Sequence, residues 1–427
     1  MQNKKFFKII IFIVVLCIPI IYSFFYLKSY WDPYGNLTDM KIAILTLPLH
    51  YNYGGNLQCY ALIHTLQSLG HEVCNIAIVQ EQKLPPLKQR PFLYTKRFIN
   101  KILGRQYSCV FSEHKIIRDR DIVHKYADEF ISSNIPLTPH KYKDALSLNE
   151  LNDYEFDAII VGSDQVWRPK YAFPDIRSFF LDFLKNNQKT LRISYAASFG
   201  TDMQEYSEKE IRDCGNLIEK FDAVSVRESS ALHLINNVFK WKCPAAPQLV
   251  LDPTMLLEKD EYLKIVPYST EIKKTKELFY YILDMTPDKK KLIDNICIDE
   301  ELKKFTVFPK STLPNSKVED KVIPPVERWI QGFNKAAIII TDSFHGCVFS
   351  IIFNKPFIVY ANEKRGIARF RSLLEMFNLE DRLITNSSEF NQAKLHSAID
   401  WTKVNFIKEE KKEQSLTFLQ DALKRQR

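Results

Sequence analysis

The segment TDSFHG, Thr341 to Gly346, lies between the apolar runs AAIII and CVFSIIF. It reads as a buried strand that ends in an aspartate, a serine and a histidine and then turns into an apolar helix. Strand ends of this kind are where ligands bind in α/β proteins. Alone, His345 reads as a hydrogen-bonded structural residue. With Asp342 and Ser343 in the same loop and a helix N-terminus at Gly346, it can also act as a general acid. Further strand-end segments have chemistry of their own. In VGSDQVW, Asp164 can bind a hydroxyl or take its proton, or else cap the next helix, and Trp167 can stack on a sugar ring or fill the core. In VSVRES, Arg227 follows an apolar strand, where a lone cation is costly. It therefore pairs with Glu228 or another acid, or grips a phosphate or carboxylate through two N–H groups.

The segment YNYGGNLQ, Tyr51 to Gln58, joins the first strand to its helix. Gly54 and Gly55 let the backbone approach a ligand at a helix N-terminus, and Asn52, Tyr53 and Gln58 belong to the same candidate loop. The alternative is a plain turn with Asn56 as N-cap. It is neither GxGxxG nor a P-loop. The small residues of SYAASFG suit close packing, and NEKRGIARFRSLL adds Lys364, Arg365, Arg369 and Arg371, of which one or two can face a cleft.

These loops need a scaffold, and the patterning supplies one. KIAILTL is a strand, Leu57 to Leu69 a helix with Leu62, Leu66 and Leu69 on one stripe, and HEVCNIAIV the next strand: a parallel β-α-β unit. Residues 81–150 read as a basic, Pro-containing helical excursion that forms a solvated surface, a lid or a membrane-facing patch. Alternation resumes with YEFDAIIVGSD, TLRISYAASFG and FDAVSVRE. A crossing segment, CPAAPQLVLDPTML, leads to a second set: ELFYYILD, FTVFP, AAIIITDSF and FIVYAN. The expected organisation is a Rossmann-like domain over 40–243, a second over 244–386 and a helical tail over 387–427, the two domains facing a cleft.

The 427 residues are 46% hydrophobic and 26% charged, with a net charge of +8. This fits anionic small molecules or an anionic membrane surface, and no nucleic-acid motif is present. The eight cysteines form no CxxC and no zinc spacing, so no metal site is expected. After the basic tail 1–8, residues 9–27 are free of charge and long enough for a transmembrane anchor, a reading favoured over a cleaved signal peptide because no small-x-small site follows, with 28–39 as linker. Lys4, Lys5 and Lys8 precede the run, whereas Lys28 with Asp32 and Asp39 follows it, which places the body outside by the positive-inside rule. Translation from Met40 would instead give a soluble cytoplasmic protein.

Together and in this order, LTLPLHYNYGGNLQCYAL, VGSDQVW, SYAASFG, DAVSVRE, LDPTML and TDSFHGCVFSIIFNKPFI resemble the polysaccharide pyruvyltransferase family from about residue 41 to 385. The resemblance implies a GT-B-like fold with the donor between two Rossmann-like halves. It also implies transfer of the enolpyruvyl group of phosphoenolpyruvate onto a sugar of a glycan or glycolipid, forming a pyruvate ketal. Phosphoenolpyruvate would be a co-substrate, with no further cofactor. His345 matches the family's catalytic histidine and Arg227 its donor-binding arginine, while Asp164 and the Gly54–Gly55 loop would position acceptor or donor. Many members carry an arginine where this chain has Ser343, so Arg365 or Arg369 would supply that cation beside Gly346. A cytosolic donor favours a body at the cytoplasmic face, against the flanking charges. The competing readings are a GT-B-like glycosyltransferase using a nucleotide sugar and a non-catalytic glycan-binding homologue.

Overall fold

Several strands are short, mostly apolar and buried on both faces: AIIV, IIIT and FIVY. Such runs belong to parallel sheets covered by helices on each side. The computed structural model describes residues 39–82, 84–104, 109–185, 187–266, 276–313, 316–361 and 366–425. The first sheet contains β1 (Lys41–Leu45), β2 (Glu72–Ile78), β3 (Leu137–Tyr142), β4 (Ala158–Val161), β5 (Leu191–Ala197), β6 (Ala223–Val226) and β7 (Gln248–Leu249). The second contains β8 (Glu277–Tyr281), β9 (Lys303–Phe305), β10 (Ile338–Thr341), β11 (Phe357–Tyr360) and β12 (Leu383–Ile384). The orders are β3-β2-β1-β4-β5-β6-β7 and β12-β11-β10-β8-β9, and every pairing is parallel.

The strand order reverses between β1 and β4 in one sheet and between β8 and β10 in the other. Crevices at the carboxyl ends of strands open at such switch points. The helices used below are α1 (Tyr53–Ser68), α2 (Arg90–Ile102), α3 (Ser112–Val123), α4 (Lys125–Asn134), α5 (Phe344–Ile352), α6 (Ile367–Phe377) and α7 (Trp401–Leu423).

Several boundaries differ from the sequence reading. The excursion over 81–150 is not all helix, because β3 joins the sheet edge. Its LTPHKY sequence is mostly exposed and contains a proline, which an edge strand tolerates. The first sheet continues past residue 243, since β7 pairs with β6. The FTVFP strand is displaced to Lys303–Phe305. The tail folds back on the first half: Ser415 Oγ accepts the Leu251 amide at 3.0 Å, and Phe418 lies 6.4 Å from the Tyr195 ring. The halves also meet where Tyr53 donates its hydroxyl to the Pro324 carbonyl at 2.6 Å and the Ser229 amide to Ser372 Oγ at 3.0 Å. Among the described residues no helix is long and apolar enough to cross a membrane. The run 9–27 lies outside them.

Candidate functional site

The two switch points converge on one buried charge cluster. Its centre is Asp252, from the crossing segment LDPTML. The carboxylate accepts the Thr254 amide at 3.0 Å and its hydroxyl at 2.7 Å, which fixes the turn that follows β7. The other oxygen accepts Arg227 Nη1 at 2.6 Å and lies 3.5 Å from His345 Nε2. One carboxylate therefore joins an arginine after β6 in the first half to the histidine after β10 in the second. Burial works against ionising Asp252. The charge of His345, then that of Arg227 and the Thr254 hydrogen bonds, outweigh it and hold the carboxyl well below the usual carboxylate range.

Arg227 is enclosed by acids. Asp252 is its near partner, with Asp164 Oδ1 at 3.6 Å from Nη2 and Glu228 Oε2 at 3.8 Å from Nε. Burial alone would lower its pKa, but Asp252, Asp164 and Glu228 outweigh that and raise it. Nε and Nη2 make no hydrogen bond among the described residues. Glu228 also accepts from Ser198 Oγ at 2.8 Å and the Phe199 amide at 3.0 Å, holding the SYAASFG turn in place. Asp164 has φ of +66°, a conformation that L residues other than Asn and Asp seldom take. Its side chain faces Arg227.

A second arginine comes from α6. The guanidinium carbons of Arg227 and Arg369 lie 4.2 and 5.6 Å from the Phe344 ring centroid. Burial, and next the positive charge of Arg227, pull the Arg369 pKa down to about 10. Two buried cations near one another cost free energy unless negative charge offsets them. Arg369 thus stands next to the first turn of α5. Arg365 lies outside the described residues, and Arg371 is exposed.

The α5 N-terminus is built by its own side chains. Ser343 is the N-cap and its Oγ accepts the Gly346 amide at 3.3 Å. The Gly346 amide is thereby used within the helix start, whereas the Ser343 hydroxyl accepts that bond and keeps its own O–H to donate. The amides of Phe344 and His345 are the ones left without intrahelical acceptors. Asp342 is structural: it accepts the Leu283 amide at 2.6 Å, the Asp284 amide at 3.0 Å and Lys289 Nζ at 2.7 Å, tying β10 to the segment after β8.

Across the cleft, α1 begins at Tyr53, so Gly54 and Gly55 form its first turn rather than a loop. Glycine is a poor helix former, and the reason for it here is tertiary. A Cβ on Gly54 would lie 2.1 Å from His345 Nδ1. The imidazole is therefore pressed between the α1 backbone and Asp252. Asn52 occupies the N-cap position and is exposed, whereas Asn56 donates instead to the His50 carbonyl at 2.6 Å. Gln58 is buried and donates to Thr46 Oγ1 at 2.8 Å. Tyr53 is buried against Trp329, with ring centroids 5.7 Å apart, and serves as a clamp between halves. Trp167 is fully buried, stacked on Phe180 at 5.0 Å and donating to the Phe179 carbonyl at 3.0 Å. It cannot stack on a sugar, because the core encloses both its faces.

The structure thus brings together His345, Arg227, Asp164, Arg369 and Gly54, with Ser343 beside them at the α5 start, and gives Trp167, Tyr53, Gln58 and the Gly346 amide supporting roles. Asp252 is the member that residue-by-residue reading missed, although its motif carried part of the resemblance. Among the described residues no group of His, Cys, Asp or Glu could hold a metal ion.

A search of curated proteins found no match. Among solved structures, a UDP-N-acetylglucosamine 2-epimerase from Rickettsia bellii is 11% identical over 90% of this chain and 97% of its own, with a TM-score of 0.49. The Arabidopsis thaliana UGT89C1 complex with UDP-L-rhamnose is 8% identical over 90% of this chain and 100% of its own, also at 0.49. The UDP-GlcNAc 2-epimerase from Methanocaldococcus jannaschii is 11% identical over 83% of this chain and 90% of its own, at 0.47. The polysaccharide pyruvyl transferase family model matches residues 52–364, a span that contains the α1 glycines, Asp164, Arg227, Asp252 and His345. With its transferase motifs gathered at the facing ends of two parallel sheets, the chain belongs to the polysaccharide pyruvyl transferase family.

Proposed function

We propose that this transferase uses phosphoenolpyruvate as donor and builds a pyruvate ketal on a sugar of a glycan or lipid-linked glycan precursor. The observation that carries this reading is the pair of buried arginines, Arg227 and Arg369, drawn from opposite halves against Phe344 beside the α5 N-terminus. Phosphoenolpyruvate carries both a carboxylate and a phosphate. Two guanidiniums and two helix amides offer it separate grips. Arg369 then supplies the cation that the family places at the Ser343 position.

In this reading His345 gives a proton to the methylene carbon, leaving positive charge at C2. A sugar hydroxyl adds there and passes its proton to Asp164. The C2–O bond to phosphate breaks, phosphate leaves, and a second hydroxyl closes the ketal with loss of its own proton. Asp252, 3.5 Å from Nε2, holds His345 in place. No further cofactor takes part. Residues 9–27 anchor the chain as a single membrane span, with the body at the cytoplasmic face where the donor is made.

The test is phosphate release from phosphoenolpyruvate by the full chain in detergent with candidate glycan acceptors. Turnover should need both substrates and give a product heavier by one pyruvate less one water. Transfer from a nucleotide sugar with phosphoenolpyruvate inert would overturn the reading. A reporter after Arg427 that is active only outside the membrane would overturn the topology alone.

A further inference from the structure

The excursion carries a surface that the cleft chemistry does not use. Helix α2 has no buried residue, so no core holds it. Phe92 and Ile102 are 76% and 69% exposed, and Ile99 and Leu103 lie on the same stripe at helical spacing. Ile116, Ile117 and Ile122 of α3 are exposed as well. Of the 21 large apolar side chains exposed among the described residues, ten fall between Leu87 and Ile122. That concentration marks an interaction surface rather than scattered surface apolarity.

The same stretch is strongly basic, with nine Lys and Arg against three Asp and Glu between Leu87 and Ile122. Arg97 bonds both oxygens of Glu113 at 2.7 Å, so the two helices are held together before any partner arrives. Between them runs a groove of about 950 Å³, with Tyr94, Phe98 and Phe111 as walls and Lys101, Lys115 and Arg118 along it.

We propose that the α2–α3 face docks on an anionic bilayer, the aromatic and aliphatic stripe entering the headgroup boundary and the groove taking a lipid headgroup phosphate. Apolar residues on one helix face with flanking lysines and arginines suit that boundary. A bilayer is favoured over a second copy because two such basic faces repel each other. It is also close at hand. The charge-free run 9–27 can span a membrane, and the 28–38 stretch reaches at most about 40 Å before the described fold begins. Docking would also fix the cleft relative to the lipid, since His124, just after α3, lies 4.9 Å from Tyr51 at the cleft mouth. The docking stands independently of the donor chemistry.

Hydrogen exchange of the full chain in nanodiscs tests it directly. Peptides covering 87–103 should exchange at least tenfold more slowly with phosphatidylglycerol present than in phosphatidylcholine alone, while peptides covering α7 stay unchanged. The double variant Phe92→Glu/Ile99→Glu should return 87–103 to the phosphatidylcholine rate, and it leaves the core intact because neither side chain is buried. Equal rates in both lipids would overturn the proposal. So would protection in detergent that rises with protein concentration, which would mean a second copy covers the face.

Discussion

The cleft and the excursion are built from the same residue types put to opposite use. In the cleft, Arg227 and Arg369 are buried, and both guanidiniums lie over the buried Phe344 ring. In the excursion, Lys96 and Lys101 are exposed beside Phe92 and Ile102, which face solvent. Burial makes each cleft charge depend on its partners, because an unpaired ion in a low-dielectric interior costs several kcal/mol. Exposure makes each excursion charge nearly independent, since water and salt screen it. The same chemistry is thus coupled in one place and additive in the other.

The largest effect should come from the cleft. His345→Asn should lower the transfer rate about 10²–10⁴-fold, the usual worth of a positioned acid, with circular dichroism unchanged. A loss of that size from Phe98→Glu, measured with a water-soluble acceptor, would break the contrast. Next, Asp252→Asn should cost about 1.5–3 kcal/mol of stability, the worth of a charged hydrogen bond, because Asp164 and Glu228 still face Arg227. The pH dependence follows from the direction of the shift. The folded carboxyl titrates below the unfolded one, so its contribution is complete above the unfolded value of about 3.9 and fades as pH falls beneath it. The gap between wild type and Asp252→Asn in denaturation curves should therefore begin to narrow below about pH 4 and keep narrowing as the pH falls toward the folded value. A gap that does not narrow there would assign the stability to something other than this charge.

A smaller effect is expected at the α1–α5 contact. Gly54→Ala adds a methyl where His345 Nδ1 now lies, and overpacking of this kind costs about 1–3 kcal/mol. Its distinguishing sign is a fall in kcat larger than the change in KM, since the methyl displaces the acid. Unchanged kcat would mean the imidazole has room to move. The smallest effect should be in the excursion: Arg97→Ala removes a part-exposed ion pair and should change stability by about 1 kcal/mol or less. A larger loss would show that α2 and α3 are held as tightly as the cleft.

Much of the scaffold was legible because parallel strands buried on both faces are written as unbroken apolar runs, as in FDAII and AAIII. The strands that escaped are those lacking that signature: β3 is polar and at an edge, and β12 has two residues. His345, Arg227 and Asp164 stood out because a polar residue directly after such a run is costly without a partner. Asp252 did not, because nothing in its neighbourhood says that the chain brings it back against Arg227 and His345. Gly54 and Gly55 read as loop because intrinsic propensity disfavours glycine in helices, while the contact that requires Gly54 is with a residue nearly 300 positions away. Trp167 shows the converse limit, since an aromatic after a strand has the same local pattern whether it lines a cleft or fills a core.

The pairing of Arg227 with Arg369 around a bound donor is the claim that matters most, and calorimetry tests it most directly. Phosphoenolpyruvate should bind the full chain saturably, and Arg369→Gln should weaken it about 10–150-fold, the equivalent of one charged hydrogen bond of about 1.5–3 kcal/mol. Equal affinity in wild type and Arg369→Gln, or saturable binding of a nucleotide sugar with none of phosphoenolpyruvate, would contradict it.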